Sequence, residues 1–307
     1  MSALSTSVDS EDESDPEQTA CVLVFNANDP SGAGGLSADV AAISSVGAHA
    51  LTVVTGAYAR DTSEILDHYR FDEDAVTEQA RTILEDVTTQ VIKVGFVGSA
   101  ETLSAIAEIA SDYASMPLVA YMPDLSWWTE VQIDLYLDAF RELLLPQTTV
   151  LVGNHSTLWR WLLPEWSSRK NPGARDIARA ANAFGVPYTL VTGIASTDQL
   201  IENVLASPQS VLHSGKFERF EAAFSGAGDT LSAALAALLA TGTDLTESVK
   251  EALAYLDRSL DAGFRPGMGN VIPDRLFWAL PEVDEEASAD DAGPDTQFDL
   301  PAHDTKH

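Results

Sequence analysis

The sequence predicts an α/β fold in three layers, with a doubly wound and mostly parallel sheet between two sets of helices. Three observations predict it. Short apolar runs alternate with segments of helical period along most of the 307 residues, the order of repeated strand–helix crossovers. Two glycine-rich stretches stand between strand and helix, where this fold class keeps its functional loops. No internal repeat or linker divides the chain, and hydrophobic residues at 45% supply one sizeable core.

The elements follow in order. Residues 1–19 carry Asp9, Glu11, Asp12, Glu13, Asp15 and Glu17 with no base and read as a disordered acidic tail. The folded domain spans 20–282. It opens with the apolar run 21–25, in which Cys21 reads as core. After a turn-rich stretch (29–35), the spacing predicts a helix over 36–46, a strand over 49–58 and a helix over 75–87. A buried strand over 91–97, a helix over 103–113, a strand over 118–121, a helix over 131–145 and a strand over 149–152 follow. A helix over 174–184 and a strand over 188–192 complete the alternation. Residues 65–71 and 204–220 break it and read as strands or hairpins on the sheet margin. The end is helical. The segment 231–239 stops before Gly242, suited to a position past a helix end, and Asp244 with Glu247 resembles a capping box. Residues 283–307 hold eight acids and Lys306 as their lone lysine, and read as a second disordered acidic tail.

Charge excludes several functions. The formal net charge is -30. Nucleic acid is excluded as a partner, because such binding needs Lys and Arg to displace counterions. An anionic membrane surface would repel the chain, and the longest apolar stretch, 233–240, is too short to span a bilayer. The charge reads as solubility, or as adaptation to high salt. A single cysteine permits no intrachain disulfide, as in a reducing, cytoplasmic setting. The polar N-terminus has no signal-peptide pattern.

The second glycine loop, Ser225-Gly226-Ala227-Gly228-Asp229-Thr230, runs straight into a helix. Glycines admit a phosphate close to the backbone, and the free N–H groups and dipole of a helix start favour an anion. Asp229 among those donors is placed to accept a proton from a hydroxyl attacking a phosphoryl group, assistance worth roughly 10²–10⁴-fold. The plain alternative is an N-terminal cap on a tight turn. The first loop begins Gly32-Ala33-Gly34, but Ser37 stands where a dinucleotide fingerprint needs its third glycine, and no Walker A motif occurs. It reads as a loop over a substrate, or as an ordinary connection.

Together these segments resemble the hydroxymethylpyrimidine and phosphomethylpyrimidine kinases of thiamine synthesis, within the ribokinase superfamily. The likeness rests on Asp29-Pro30-Ser31-Gly32 with Gly35 and Ala38-Asp39, Val53-Val54-Thr55 before Asp61-Thr62, Lys93-Val94-Gly95, Leu144-Leu145-Pro146-Gln147, Gly226 to Leu235 and Gly267-Met268-Gly269-Asn270. It implies a ribokinase-like sheet, ATP with Mg²⁺, and two phosphorylations of 4-amino-5-hydroxymethyl-2-methylpyrimidine, first to the monophosphate and then to the diphosphate. It implies Asp229 as catalytic base, Gly226, Ala227 and Gly228 as the anion hole for ATP phosphates, and Gly34, Asp39, Arg60 and Phe96 as substrate-binding positions. A homodimer is also implied.

The chain departs from the family's pattern in places. Asp229 follows the sugar-kinase form of the motif, where many pyrimidine kinases carry cysteine. Arg60 replaces a usual glutamine, so donors stand where a donor and an acceptor are usual. Phe96 replaces methionine, and Tyr121-Met122 occupies what is often Asp-Pro. Asn154-His155-Ser156-Thr157 lies at the N-x-x-E motif, with Thr157 in place of the glutamate that organises Mg²⁺. The metal ligands therefore stay unassigned. Two rival readings follow: a same-fold kinase of another small alcohol, pyridoxine-like or sugar, and a non-catalytic ligand-binding or regulatory homologue. Trp127, Trp128, Trp159, Trp161 and Trp166 read as dimer contacts or as core and pocket lining. Lys93, in an apolar strand, is either buried with a partner or turned into the cleft. The scattered histidines 49, 68, 155 and 213 lack metal-ligand spacing.

Overall fold

Strand β1 (Cys21–Asn28) sends Val22 and Val24 into one core and Leu23 and Phe25 into another, because successive side chains of a strand leave on opposite faces. In this computed structural model, which describes residues 19–197 and 199–279, that two-sided burial recurs in the central strands over 91–94, 118–122 and 150–153 and gives way to exposure at the margins over 65–70 and 211–218. One core is closed by helices α1 (Gly35–Ser45), α7 (Ala227–Ala240) and α8 (Leu245–Asp261). The other is closed by α2 (Glu73–Asp86), α3 (Ala100–Asp112), α4 (Glu130–Ala139), α5 (His155–Leu162) and α6 (Ala174–Asn182). In α7, Ala233, Ala234, Ala236 and Ala237 are all buried, and these small side chains let the helix lie close to the strands beneath.

The remaining strands are β2 (His49–Arg60), β3 (Ile65–Arg70), β4 (Val91–Val94), β5 (Leu118–Met122), β6 (Val150–Asn154), β7 (Tyr188–Thr197), β8 (Leu200–Ala206) and β9 (Val211–Glu218). The sheet order is β3-β2-β1-β4-β5-β6-β7-β8-β9. β1, β2, β4, β5, β6 and β7 run parallel; β3 joins antiparallel at one edge, and β8 and β9 at the other. The expected doubly wound α/β sheet is present, and the segments 65–71 and 204–220 read as marginal fall on β3 at one edge and on β8 and β9 at the other, with β8 beginning earlier, at Leu200. The chain leaves β1 toward β2 and later returns as β4 on the other side of β1. Beyond the C-terminal ends of β1 and β4 lies the crevice that this topology opens.

Three local expectations need correction. The strand expected over 91–97 stops at Val94, because the Phe96 N–H donates to Asn26 Oδ1 at 3.1 Å instead of continuing a ladder. The helix expected over 131–145 ends at Ala139, then becomes a π turn (Phe140–Leu144) and a 3₁₀ turn (Leu145–Gln147) holding Pro146, whose ring cannot continue a helix. Helix α5 was not expected; Asn154 caps it by accepting the Ser156 N–H at 3.0 Å. At the other end of the chain, Gly242 follows α7 at φ 87° as read. Asp244 caps α8 through the Thr246 and Glu247 N–H groups, while Glu247 pairs with Lys250 instead of closing a capping box.

The chain divides into two compact units, 1–277 and 278–307. The tail expected at 283–307 and all but the last residue of that at 1–19 lie outside the described residues, as does the end of the 20–282 domain. No helix among the described residues is long and apolar enough to cross a membrane.

Candidate active site

Lys93 lies two places from Val91, on the α1–α7 side of β4. It is fully buried there, its Nζ 2.7 Å from Asp39 Oδ1 on α1 and 3.0 Å from Asp229 Oδ1 on α7. Asn26, at the end of β1, donates through Nδ2 to Asp39 Oδ2 at 2.8 Å and to Asp229 Oδ1 at 2.9 Å. Its Oδ1 accepts the N–H groups of Ala27 and Phe96. Two strands and two helices of one face thus meet in this cluster. Burial lifts the Asp39 carboxyl to about 6 against the pull of Lys93. For Lys93, burial works against the charge, but Asp39 and then Asp229 overcome it and raise the pKa. Lys93 is therefore cationic, with two acids sharing it.

Asp229 does not cap its helix. The N-cap of α7 is Gly226, at φ 86°, and no side chain caps it. Asp229 lies in the first turn and reaches across to α1, where Oδ2 accepts the Gly35 N–H at 3.1 Å. Asp29 Oδ2 accepts the neighbouring Gly34 N–H at 2.8 Å. Two helix N-termini thus meet around Asp229. A side chain at Gly34 would press on Asp229 Oδ2 at 2.9 Å. Oδ1 is fully engaged, Oδ2 accepts the one N–H of Gly35, and the side chain stays 16% exposed.

The predicted substrate-binding residues fare unequally. Gly34 and Asp39 border Asp229, and Asp39 is wholly enclosed by Lys93 and Asn26. Arg60, at the end of β2, pairs with Asp29 at 3.2 Å and reaches Ser225 Oγ at 3.4 Å. Phe96 is only 2% exposed. It stands among Tyr58, His68, Trp127, Trp128 and Tyr136, with ring centroids 4.9–5.7 Å from its own. Trp127 and Trp128 therefore line this cluster, and Trp161 is buried in the same core. The phenols of Tyr58 and Tyr121 are pushed up, by burial first and by the Asp229 carboxylate second, and remain neutral donors.

On the other side of Asp229 lies a cavity of about 310 Å³ between α7, α8 and strands β6 to β9. Gly226, Ala227 and Gly228 form one wall; Asn154, Thr192, Asn203, Phe217, Phe220 and Leu253 lie around the rest. The glycines are required. A Cβ at Gly226 would fall 1.5 Å from Ala33 O, and one at Gly228 would fall 2.2 Å from the Tyr121 ring. Uncapped N–H groups at the mouth of an apolar, aromatic-lined cavity fit a nucleotide with its phosphates at the helix start. A protein-held metal fits less well. Among the described residues no group of three His, Cys, Asp or Glu is gathered. Thr157 is buried in α5 and His155 is tied to Pro172 O at 2.8 Å.

Sequence reasoning missed Asn26, Tyr58 and Arg275. Arg275 is 6% exposed and donates to Thr230 Oγ1 at 2.9 Å, Gly32 O at 3.2 Å and Ala33 O. Asn26 carried a signal in sequence: a polar residue closing an apolar strand just before a glycine loop.

Known proteins resemble this chain along its length. The family described as phosphomethylpyrimidine kinase matches residues 29–274. The hydroxymethylpyrimidine/phosphomethylpyrimidine kinase of Streptomyces coelicolor is 26% identical over 271 residues, covering 87% of this chain and 98% of its own length. That of Escherichia coli is 28% identical over 252 residues, covering 78% and 90%. Among solved structures, Bacillus subtilis pyridoxal kinase in an ADP complex superposes with a TM-score of 0.76 at 21% identity, covering 86% of this chain and all of that one. Phosphomethylpyrimidine kinase from Clostridium difficile gives 0.63 at 21% identity, covering 78% and 98%. At such identities these two structures establish the shared fold.

Proposed function

We propose that this chain, which belongs to the phosphomethylpyrimidine kinase family, phosphorylates 4-amino-5-hydroxymethyl-2-methylpyrimidine and then its monophosphate, with ATP as donor, in thiamine biosynthesis. The observation that carries the reading is Asp229: a carboxylate anchored at Oδ1 by Lys93 and Asn26, engaged at Oδ2 by the Gly35 N–H alone, and set at an uncapped helix start beside a cavity of about 310 Å³.

The roles follow from that geometry. ATP supplies the phosphoryl group, with its phosphates toward the N–H groups of Gly226, Ala227 and Gly228. These donors and the α7 dipole stabilise charge that develops on the transferred group, at about 10²–10³-fold per donor. Asp229 Oδ2 takes the proton of the acceptor hydroxymethyl group as its oxygen bonds to the γ-phosphorus, and the bond from that phosphorus to the departing ADP oxygen breaks with its electron pair. Lys93 and Asn26 hold Oδ1 so that Oδ2 is presented. In the second phosphorylation the acceptor oxygen belongs to a phosphate already largely ionised. There the anion hole matters more and the base less. Mg²⁺ is expected to travel on the ATP phosphates, as that ion commonly does, and no step here runs through it.

One observation favours a second acceptor. Arg60 is committed to Asp29 and Ser225 and offers an aminopyrimidine no acceptor for its amino hydrogens. A same-fold kinase of another small alcohol is therefore the alternative. The test is turnover of ATP with Mg²⁺ by the purified protein, with hydroxymethylpyrimidine or with pyridoxine and sugars, reading product masses. Monophosphate followed by diphosphate of the pyrimidine supports the reading. Phosphorylation of another alcohol alone moves the assignment to that alcohol. No transfer to any acceptor favours the non-catalytic homologue.

A further inference from the structure

The two loops that meet at Asp229 carry no Lys or Arg over residues 29–39 and 225–232. Among the described residues, the cavity beside them is lined by two carboxylates, Glu218 and Asp257, and by no cation. A nucleoside triphosphate brings several negative charges, so this pocket lacks an obvious positive counterpart.

Arg275 supplies one from outside both motifs. Its Nε donates to Thr230 on α7 and its two terminal nitrogens to the first loop's carbonyls at Gly32 and Ala33. The guanidinium thereby ties one loop to the other. It reaches the anion hole itself: a Cβ at Gly226 would stand 2.8 Å from Arg275 Nη2. Among the described residues no carboxylate lies within ion-pair distance of it, although the side chain is buried. Burial pulls its pKa down, while the carboxylates of Asp229, Asp39 and Asp29 oppose this from further off. A buried cation without a contacting anion is costly. Binding an anion next to it removes part of that cost.

We propose that Arg275 is a positioning residue of the anion hole whose buried charge selects for the phosphates of the bound nucleotide. The inference rests on the nucleotide reading of the cavity. It predicts a phosphate-dependent loss when the charge is removed, and a smaller loss when the charge stays but the planar fork goes.

The test compares binding of adenosine, ADP and ATP by calorimetry to the unaltered full chain, Arg275→Lys and Arg275→Met. Expected is an ATP affinity about 10- to 100-fold lower for Arg275→Met, adenosine affinity unchanged within about twofold, and Arg275→Lys close to the unaltered chain. A merely structural tie would not separate the charge-keeping variant from the neutral one. Unchanged ATP binding by Arg275→Met overturns the proposal. So does an equal loss in both variants, or a loss that adenosine shares. Should Arg275→Met fail to fold, Arg275→Lys decides alone: ATP affinity within about threefold supports the charge role, and a loss beyond about tenfold with adenosine intact overturns it. If the unaltered chain binds adenosine but not ATP, the nucleotide reading fails as well; unchanged variants beside a binding parent count against this inference alone.

Discussion

The two sides of Asp229 are built on opposite principles. On the sheet side, Asn26, Asp39 and Lys93 satisfy one another and fix Asp229 Oδ1 through bonds of 2.7–3.0 Å, all but sealed from water. On the cavity side, α7 starts without a cap, aliphatic, aromatic and polar groups line the space together with the carboxylates Glu218 and Asp257, and the guanidinium of Arg275 stands behind the glycine wall. One side spends its polar groups on itself, which fixes geometry. The other leaves its donors open, which is what binding an anion requires. Reaction chemistry needs both: a base that does not wander, and donors not already taken.

The largest way to break this contrast is to unbalance the closed side. Lys93→Met leaves two buried carboxylates facing each other, and removing one partner of a buried charge set typically costs about 3–5 kcal/mol. Chemical denaturation reads the loss directly. Adding Asp39→Asn to Lys93→Met restores part of it, because one uncompensated charge goes; a double variant no more stable than the single one argues that the three groups do not act as a unit.

The next test addresses the open side. Gly228→Ala places a methyl group against the Tyr121 ring. It is expected to raise the KM for ATP by about 10–100-fold, the order of the roughly 1–3 kcal/mol that an overpacked contact costs. Gly228→Ala combined with Tyr121→Ala, which removes the obstructing ring, recovers ATP affinity if the clash is the cause.

A smaller effect concerns the aromatic cluster. His68 Nε2 is buried with no hydrogen-bond partner among the described residues, and burial pulls the ring's pKa down to about 4 from an ordinary 6.5. The folded state therefore refuses a proton that the unfolded chain accepts. The stability contribution is complete above pH 6.5 and is lost as pH falls toward 4. His68→Phe, beside Tyr58 and Phe96, is expected to be neutral or stabilising by about 1 kcal/mol at pH 7 and to flatten the fall in melting temperature between pH 6.5 and 4. An unaltered acid slope would remove His68 from the explanation.

The smallest and most diffuse effect is that of salt. With a net charge of -30, self-repulsion is strong, and raising salt from about 0.1 to 1 M shortens screening from roughly 10 to 3 Å. Melting temperature is expected to rise over that range, and more on the acidic surface's account than through the sealed Lys93 cluster.

The sequence made the architecture legible because period and punctuation are local. The continuous apolar runs 21–25 and 118–121, the glycine loops and the stop at Gly242 each depend on a few neighbouring residues. Helix α5 escaped because 155–162 holds histidine, serine, threonine and two tryptophans, weak helix formers, and is held by its Asn154 cap and by Leu158 and Trp161 in the core. At the site, the glycine loop with Asp229 stood out, whereas Asn26 and Arg275 act on partners 203 and 45 to 243 residues away. Such contacts exist only once the sheet order is known. Lys93 was legible as a choice between two environments; the side-chain alternation of β4 decides it, by turning Lys93 toward α1 and α7.

The most direct test of the account is Asp229→Asn, measured for ATP binding and for single-turnover transfer to the hydroxymethyl acceptor. The side chain keeps its size, so the cavity is preserved. The account predicts ATP affinity within about threefold of the unaltered chain and a transfer rate lower by about 10²–10⁴. An unchanged transfer rate would show that Asp229 is not the base. Equal losses of binding and transfer would show that it holds the nucleotide site together instead.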